Sequence, residues 1–208
     1  LGRGKLVGVV GGDHSVAFGS IAAQASDRPG VGVLQFDAHA DLRVAYQGFE
    51  LSHASVMHKE LTDISDVRKL VSVGVRDLCE QEHQSIRRSR GRVTAYFGPE
   101  LARRSFEGEP FRRVAQEIAA QLPDEVYVSF DIDGLDPSLC PHTGTPVPGG
   151  LSFEAASAIL DAVVQSGRRI VVFDLCEVSP GPDGDEWDAN VGARILYKLI
   201  GYALASRS

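Results

Sequence analysis

A chain of 208 residues, 43% hydrophobic and 24% charged, is long and apolar enough to bury one substantial core. Its formal charge of −7 argues against nucleic acid as a partner, and no apolar run is long enough to make a membrane a partner. Three widely spaced cysteines, Cys79, Cys140 and Cys176, make no CxxC pair; with no signal-peptide layout at the start, they fit reduced thiols and a cytoplasmic location.

Taken in chain order, valine- and isoleucine-rich runs alternate with helical patterns. Strands are predicted at 5–10, 31–36, 69–75, 92–97, 125–131 and 169–175. Helices are predicted near 15–26, 53–62, 77–89, 110–122, 152–166 and 189–205, with Pro110 fitting a first helical turn and Ser152 an N-cap. The βαβα order predicts an α/β fold, three-layer α/β/α with a mostly parallel sheet. No repeat, low-complexity tract or linker divides the chain, so residues 1–208 are read as one domain. A strand that begins almost at Leu1, without a methionine, leads to the further expectation that an amino-terminal segment is missing. The Gly/Pro-rich stretch from Gly134 to Gly150 has the length of a functional loop rather than a linker.

Three clusters of metal-binding residue types close strand runs: Gly11-Gly12-Asp13-His14-Ser15, Asp37-Ala38-His39-Ala40-Asp41 and Asp131-Ile132-Asp133. Glu177 follows the sixth strand in the same way. Carboxyl ends of strands share one edge of an open α/β sheet, and ligands bind there. If the second strand stays extended, period two puts Asp37, His39 and Asp41 on one face; the same holds for Asp131 and Asp133. Each cluster alone also reads as a polar strand end, or as a glycine-permitted turn with Asp13 capping the next helix. Their convergence favours a metal site. Two imidazoles and four carboxylates, without a thiolate, suit Mn²⁺ better than structural zinc and exceed what one tetrahedral ion needs. Two divalent cations would also relieve the repulsion of four crowded acids. A two-metal centre that ionises water is the first hypothesis.

The motifs at 11–15, at 37–43 (Asp-Ala-His-Ala-Asp-Leu-Arg), at 129–138 (Ser-Phe-Asp-Ile-Asp-Gly-Leu-Asp-Pro-Ser) and at 174–180 (Asp-Leu-Cys-Glu-Val-Ser-Pro) resemble the ureohydrolase family, which includes arginase and agmatinase. The resemblance runs from Val10 to about Leu199 in the family's order and spacing. It implies an arginase-like fold, a longer amino end, and two Mn²⁺ per chain. His14 and His39 would each bind one ion, Asp37 and Asp131 would bridge, and Asp41 and Asp133 would each complete one ion. It also implies catalytic roles for His53, Asp41 and Glu177. His53 matches a proton-shuttle histidine, and Glu177 matches the glutamate that holds a guanidinium. Thr145, in the loop Thr143–Gly150, would line the substrate pocket with them. A homo-oligomer, trimer or hexamer, is implied as well.

The resemblance frames the substrate too. The loop from Asp41 to His53 lacks the Asn/Ser-rich character of arginases, and Cys79 stands where arginase carries an aspartate. A site without those partners serves an amino-acid head poorly. Agmatine, split to putrescine and urea in polyamine biosynthesis, is therefore the expected substrate. Arg43 complicates this reading, since a cation in the pocket favours a carboxylate tail unless Glu50 or another rim acid pairs with it. Other readings are a guanidino-acid or formimidoylglutamate hydrolase, a non-catalytic metal-binding relative, and a zinc amidohydrolase of the deacetylase type. His58 and His83 read as solvated helix residues, His142 as loop surface, Asp136 as a turn former and Trp187 as an interface anchor.

Overall fold

The computed structural model describes residues 5–207. Leu1, on which the expectation of a missing segment turns, lies outside them. The strands are β1 (Val7–Val10), β2 (Gly32–Phe36), β3 (Lys69–Val73), β4 (Val93–Tyr96), β5 (Glu125–Asp131) and β6 (Arg169–Cys176). They form one sheet in the order β1-β6-β5-β2-β3-β4, and every pairing is parallel. The helices are α1 (Ala17–Asp27), α2 (Val56–Asp63), α3 (Glu80–Arg88), α4 (Gly98–Phe106), α5 (Phe111–Ala120), α6 (Phe153–Gln165) and α7 (Trp187–Ala205).

Alternation along the strands builds two cores. Leu34, Phe36, Val71, Val73, Val128 and Phe130 are buried in a cluster with Ile118 of α5, Ile159 and Leu160 of α6 and Ile195 of α7. Val33, Leu70, Tyr127 and Val172 are buried in a second cluster with Ala17 and Ile21 of α1 and Val56 and Met57 of α2. Helices therefore cover both faces, as the βαβα order requires. The predicted strands shift by at most a few residues at their ends. Three predicted helices move more. Those near 15 and 53 begin as short 3₁₀ turns, His14–Val16 and His53–Ser55, and the one placed at 77 begins at Glu80. Helix α4 was not expected. Pro99 sits in its first turn, where a missing N–H costs nothing. Ser152 caps α6 by accepting from the Ala155 N–H at 3.0 Å, and Pro110 sits one residue before α5.

One row of this sheet breaks its apolar character. Ser72, Gln35, Ser129 and Asp174 are register neighbours on β3, β2, β5 and β6, and all four are buried. The Ser72 hydroxyl donates to Gln35 Oε1 at 2.7 Å, and the Ser129 hydroxyl donates to Asp174 Oδ1 at 3.1 Å. The row lies just below the carboxyl edge and supports what stands there.

Glu60 of α2 is a separate anomaly. It is wholly buried and neither carboxyl oxygen has a hydrogen-bond partner. Burial pushes its pKa from 4.5 up to about 8, against the pull of Arg92. Between those values the folded chain keeps a proton that the unfolded chain releases, so stability falls as pH rises from 4.5 to about 8. At about 1.4 kcal/mol per pH unit, the full window is worth on the order of 5 kcal/mol. Glu60→Gln is expected to melt higher than the parent at pH 8 and to match it near pH 4. Equal melting temperatures at both pH values would contradict this.

Candidate metal centre

Four adjacent strands, β1, β6, β5 and β2, deliver the predicted residues to one edge of the sheet. His14 follows β1, Glu177 follows β6, Asp131 ends β5 with Asp133 just beyond, and Asp37, His39 and Asp41 follow β2. The local geometry differs from the period-two expectation. β2 ends at Phe36; the chain then bends at Ala38, His39 forms an isolated parallel bridge with Asp77, and Asp37 Oδ1 accepts from the His39 backbone N–H at 2.6 Å. Asp41 adopts a left-handed backbone with φ 54°. Asp131 accepts from the Asp133 N–H at 2.9 Å in a 3₁₀ turn. The two segments are tied by the Ala38 N–H, which donates to Asp133 Oδ1 at 3.0 Å. Gly134 permits this close packing, since a Cβ there would lie 2.7 Å from the Asp37 nitrogen.

Two overlapping groups result. His14, Asp37 and Asp131 bring ligand atoms within 4.8 Å of one another, as do Asp37, His39 and Asp133, so Asp37 is shared. His14 Nδ1 lies 3.3 Å from Asp37 Oδ2, 3.0 Å from Asp41 Oδ2 and 3.4 Å from Asp131 Oδ2. His39 Nδ1 lies 3.0 Å from Asp133 Oδ2 and 3.4 Å from Asp37 Oδ1. All six predicted ligands thus meet.

Electrostatics shows how poorly this set rests on its own. Burial raises the pKa of Asp41, and the Asp37 charge raises it further; Asp131 is raised by burial and by the Asp133 and Asp37 charges. Burial alone would keep the imidazoles neutral, yet the carboxylates around His14 raise its pKa well above normal, and Asp133 and Asp37 raise that of His39 to about 11. Without cations the cluster therefore stores protons. His14 Nδ1 and Asp41 Oδ2 are buried and 3.0 Å apart but are not aligned as a hydrogen bond, so neither has a partner. Lone pairs aimed at a common point, with carboxylate and imidazole donors, fit divalent cations that displace those protons.

Supporting contacts fix the donors. Gln35 Nε2 donates to Asp37 Oδ2 at 2.8 Å. His14 Nε2 is 2.8 Å from Ser129 Oγ, whose own proton goes to Asp174. With Nδ1 facing the acids, Nε2 carries the proton of that imidazole, and Asp174 anchors it through Ser129. Neither Gln35, Ser72, Ser129 nor Asp174 was among the expected site residues. Their signal was a polar side chain at the same level within the apolar middle of four strands.

The expected substrate-side residues ring this centre. Glu177 has φ 62°, a strained conformation for a non-glycine residue, and its Oε1 accepts from the His14 N–H at 2.8 Å. Burial raises its pKa. The Thr145 hydroxyl donates to Asp133 Oδ2 at 3.2 Å. His53 Nδ1 is 3.0 Å from Asp13 Oδ2, so Asp13, which also accepts from the Ser15 N–H, orients the imidazole. A narrow cavity of about 130 Å³ is lined by His39, Asp41, Arg43, Tyr46, His53, Asp77 and Thr145, among others.

The rim bears on three further residues. Arg43 does not pair with Glu50, which approaches Lys59 instead; its Nε is 3.9 Å from Glu82 Oε2 and its guanidinium lies over the Tyr46 ring. His142 is not free loop surface: its N–H donates to Asp188 Oδ1 and its Nδ1 is 2.9 Å from Asp188 Oδ2. Trp187 is 48% exposed and its indole N–H donates to Ser138 O, which ties α7 to the long loop.

A parallel sheet whose carboxyl edge carries two histidines and four carboxylates, with a glutamate beside them, defines a candidate dinuclear metal site of the hydrolase kind. The chain belongs to the arginase family, whose model matches residues 1–201. It is 37% identical over 201 residues to an N(1)-aminopropylagmatine ureohydrolase of Thermus thermophilus, covering 97% of this chain and 64% of that protein. It is 30% identical to the agmatinase of Bacillus subtilis, covering 96% of this chain and 64% of that protein. The solved arginase of Bacillus caldovelox superposes with a TM-score of 0.80 at 30% identity, over 97% of this chain and 69% of that one. The chain thus spans just under two thirds of the length of the first two relatives.

Proposed function

We propose that this chain carries the catalytic centre of a ureohydrolase that splits the guanidino C–N bond of agmatine, giving putrescine and urea. The observation that carries this reading is the meeting of His14, Asp37, His39, Asp41, Asp131 and Asp133 around Asp37. We assign these six to two Mn²⁺ ions, on the excess of carboxylate over nitrogen donors and the lack of thiolate. The ions, when bound, lower the pKa of water so that hydroxide is available near neutral pH.

The chain's own residues do the rest. Glu177 offers its second carboxylate oxygen to the fork of guanidinium N–H groups, since Oε1 is already engaged by the His14 N–H. Thr145 holds Asp133 in place from the substrate side. Asp13 accepts a hydrogen bond from His53 Nδ1–H, which leaves Nε2 as the basic nitrogen; it takes up a proton released from the water consumed and passes it to the departing amine as the C–N bond breaks. Water supplies the oxygen of urea, and the amine leaves protonated.

The tail of the substrate selects within the family. Arg43 is partly neutralised by Glu82 and stacked on Tyr46, which reduces its draw on a carboxylate tail. Asp77, by contrast, is an exposed carboxylate lining the narrow cavity, with Oδ2 3.9 Å from His39 Nε2. It favours an ammonium tail, as in agmatine or a longer aminopropyl derivative, over guanidino acids or formimidoylglutamate. Asp77→Asn is expected to raise KM for agmatine about tenfold, the worth of one charge-assisted contact, with a smaller loss in kcat. An unchanged KM would remove Asp77 from this role.

The deciding assay incubates the protein with Mn²⁺ and agmatine, aminopropylagmatine, arginine, guanidinobutyrate or formimidoylglutamate, and measures urea or formamide. Urea from the two amine-tailed compounds supports the proposal. Two bound metals without turnover of any compound would favour a non-catalytic relative.

We further propose a homo-oligomer, trimer or hexamer, in the cytoplasm. Phe106 is 88% exposed beside a largely apolar cleft of about 730 Å³ between α4, the end of the long loop and α6, a liability for a lone subunit. Phe106→Glu is expected to shift the sedimentation coefficient to that of a smaller species; a parent already monomeric would end this part. No helix among the described residues is long and apolar enough to cross a membrane, and the three cysteines are free thiols, which fits a reducing compartment. A disulfide in the freshly isolated native protein would argue otherwise.

A further inference from the structure

Arg76 stands just beyond β3 and points its guanidinium at main-chain oxygens only. Nε donates to Val147 O and Pro148 O, both at 3.2 Å. Nη1 donates to Gly74 O at 3.2 Å. Nη2 donates to Asp133 O at 2.8 Å, Val147 O at 2.9 Å and Leu135 O at 3.1 Å. No carboxylate is among the partners, although the charge lies near Asp133 and Asp37.

These five carbonyls belong to three separate segments: the end of β3, the turn carrying Asp133, and the middle of the long loop. The loop's base is closed without Arg76, by the Leu135–Leu151 bridge and the Asp136 N–H to Leu151 O bond of 2.9 Å. Its early part is held by Asp188, through His142, and by the Thr143 hydroxyl, which donates to Glu177 O at 2.8 Å. Between these anchors sits Thr145, two residues before the carbonyl of Val147. Only a planar fork with several fixed donors can join such divergent acceptors; an ammonium is a point charge without that spread.

We propose that Arg76 is a positioning residue of the active site: by gripping Val147 and Asp133 together, it sets the Thr145 hydroxyl against Asp133 Oδ2. The proposal rests on the metal-centre reading above. Arg76 touches neither substrate nor cation; it acts through Thr145.

A double-mutant cycle of Arg76→Lys and Thr145→Val tests it. Mn²⁺ affinity is measured by calorimetry, loop exchange by amide hydrogen exchange over residues 143–150, and kcat and KM by urea release. Each single variant is expected to lose about tenfold in Mn²⁺ affinity and in kcat, the lower end for partners that orient a ligand, with KM within about threefold. The double variant is expected to match the worse single within about twofold, and R76K alone to speed exchange across 143–150. Losses that multiply in the double variant, or an R76K with parental affinity and exchange, would overturn the proposal. Where R76K does not fold, Arg76→Gln, which keeps two donors, takes its place in the same cycle. If the parent hydrolyses no guanidine, the proposed function fails, while Mn²⁺ affinity and exchange still decide the role of Arg76.

Discussion

Replacing His39 by alanine is expected to reduce metal content from about two ions per chain to about one and to cost more than about 10²-fold in turnover. The magnitude follows from the hierarchy of a metal site. Removing a group that merely orients a ligand costs roughly 10- to 100-fold, so removing the ligand itself exceeds that range. The fold is expected to survive. The His39 side chain is 24% exposed rather than part of either core, so its loss opens little internal cavity. The sheet beneath it is held by Leu34, Phe36 and Val128, none of which touches metal chemistry. Metal analysis, urea release and circular dichroism on one preparation separate the two effects. Parental activity in His39→Ala would refute the dinuclear reading, and a collapsed spectrum would show that the residue serves the fold instead.

The architecture was legible because buried parallel strands leave a plain mark. Val33, Leu34, Val71, Val126 and Val128 gave runs that only a doubly covered sheet requires, and the positions of six strands followed. The metal residues were legible for a topological reason, since chance would have scattered them over both ends of the strands. Asp37, His39 and Asp41 meet past the end of β2, around a bend at Ala38 and with Asp41 left-handed, and not through a continuous strand. A pattern with spacing two was right about proximity and wrong about conformation.

What stayed hidden shares one property: it depends on pairing between segments distant in sequence. The row Ser72, Gln35, Ser129 and Asp174 is visible only once the register is known, because within each strand the residue is one isolated polar side chain flanked by apolar neighbours. Asp13 looked like a turn residue until His53, 40 positions later, appeared against it. His142 looked like surface until α7 placed Asp188 under it. Nothing in the sequence marked Arg76. Side chains that act by orienting others have no motif of their own.

Glu177→Gln is expected to lower kcat/KM for agmatine by about 10²-fold, mainly through KM, while metal content stays parental. The carboxylate meets the centre through a backbone group: Oε1 serves the His14 N–H, and Gly144 leaves room beside Oε2. A guanidinium is a cation that offers only donors. Glutamine keeps the size and can still accept from the His14 N–H, but its amide would turn a donor toward donors and carry no charge. Hydrogen bonds to charged groups are worth about 1.5–3 kcal/mol, which corresponds to roughly 10- to 150-fold in kcat/KM. The pH dependence offers an independent check. Burial raises the pKa of Glu177, so its contribution to binding is present above that raised value and fades as pH falls through it. The glutamine variant has no such group to titrate, and the part of the acid limb of log(kcat/KM) that belongs to Glu177 should vanish with it. Unchanged kinetic constants would remove Glu177 from guanidinium binding, whereas loss of metal would recast it as a support for His14, whose backbone it holds.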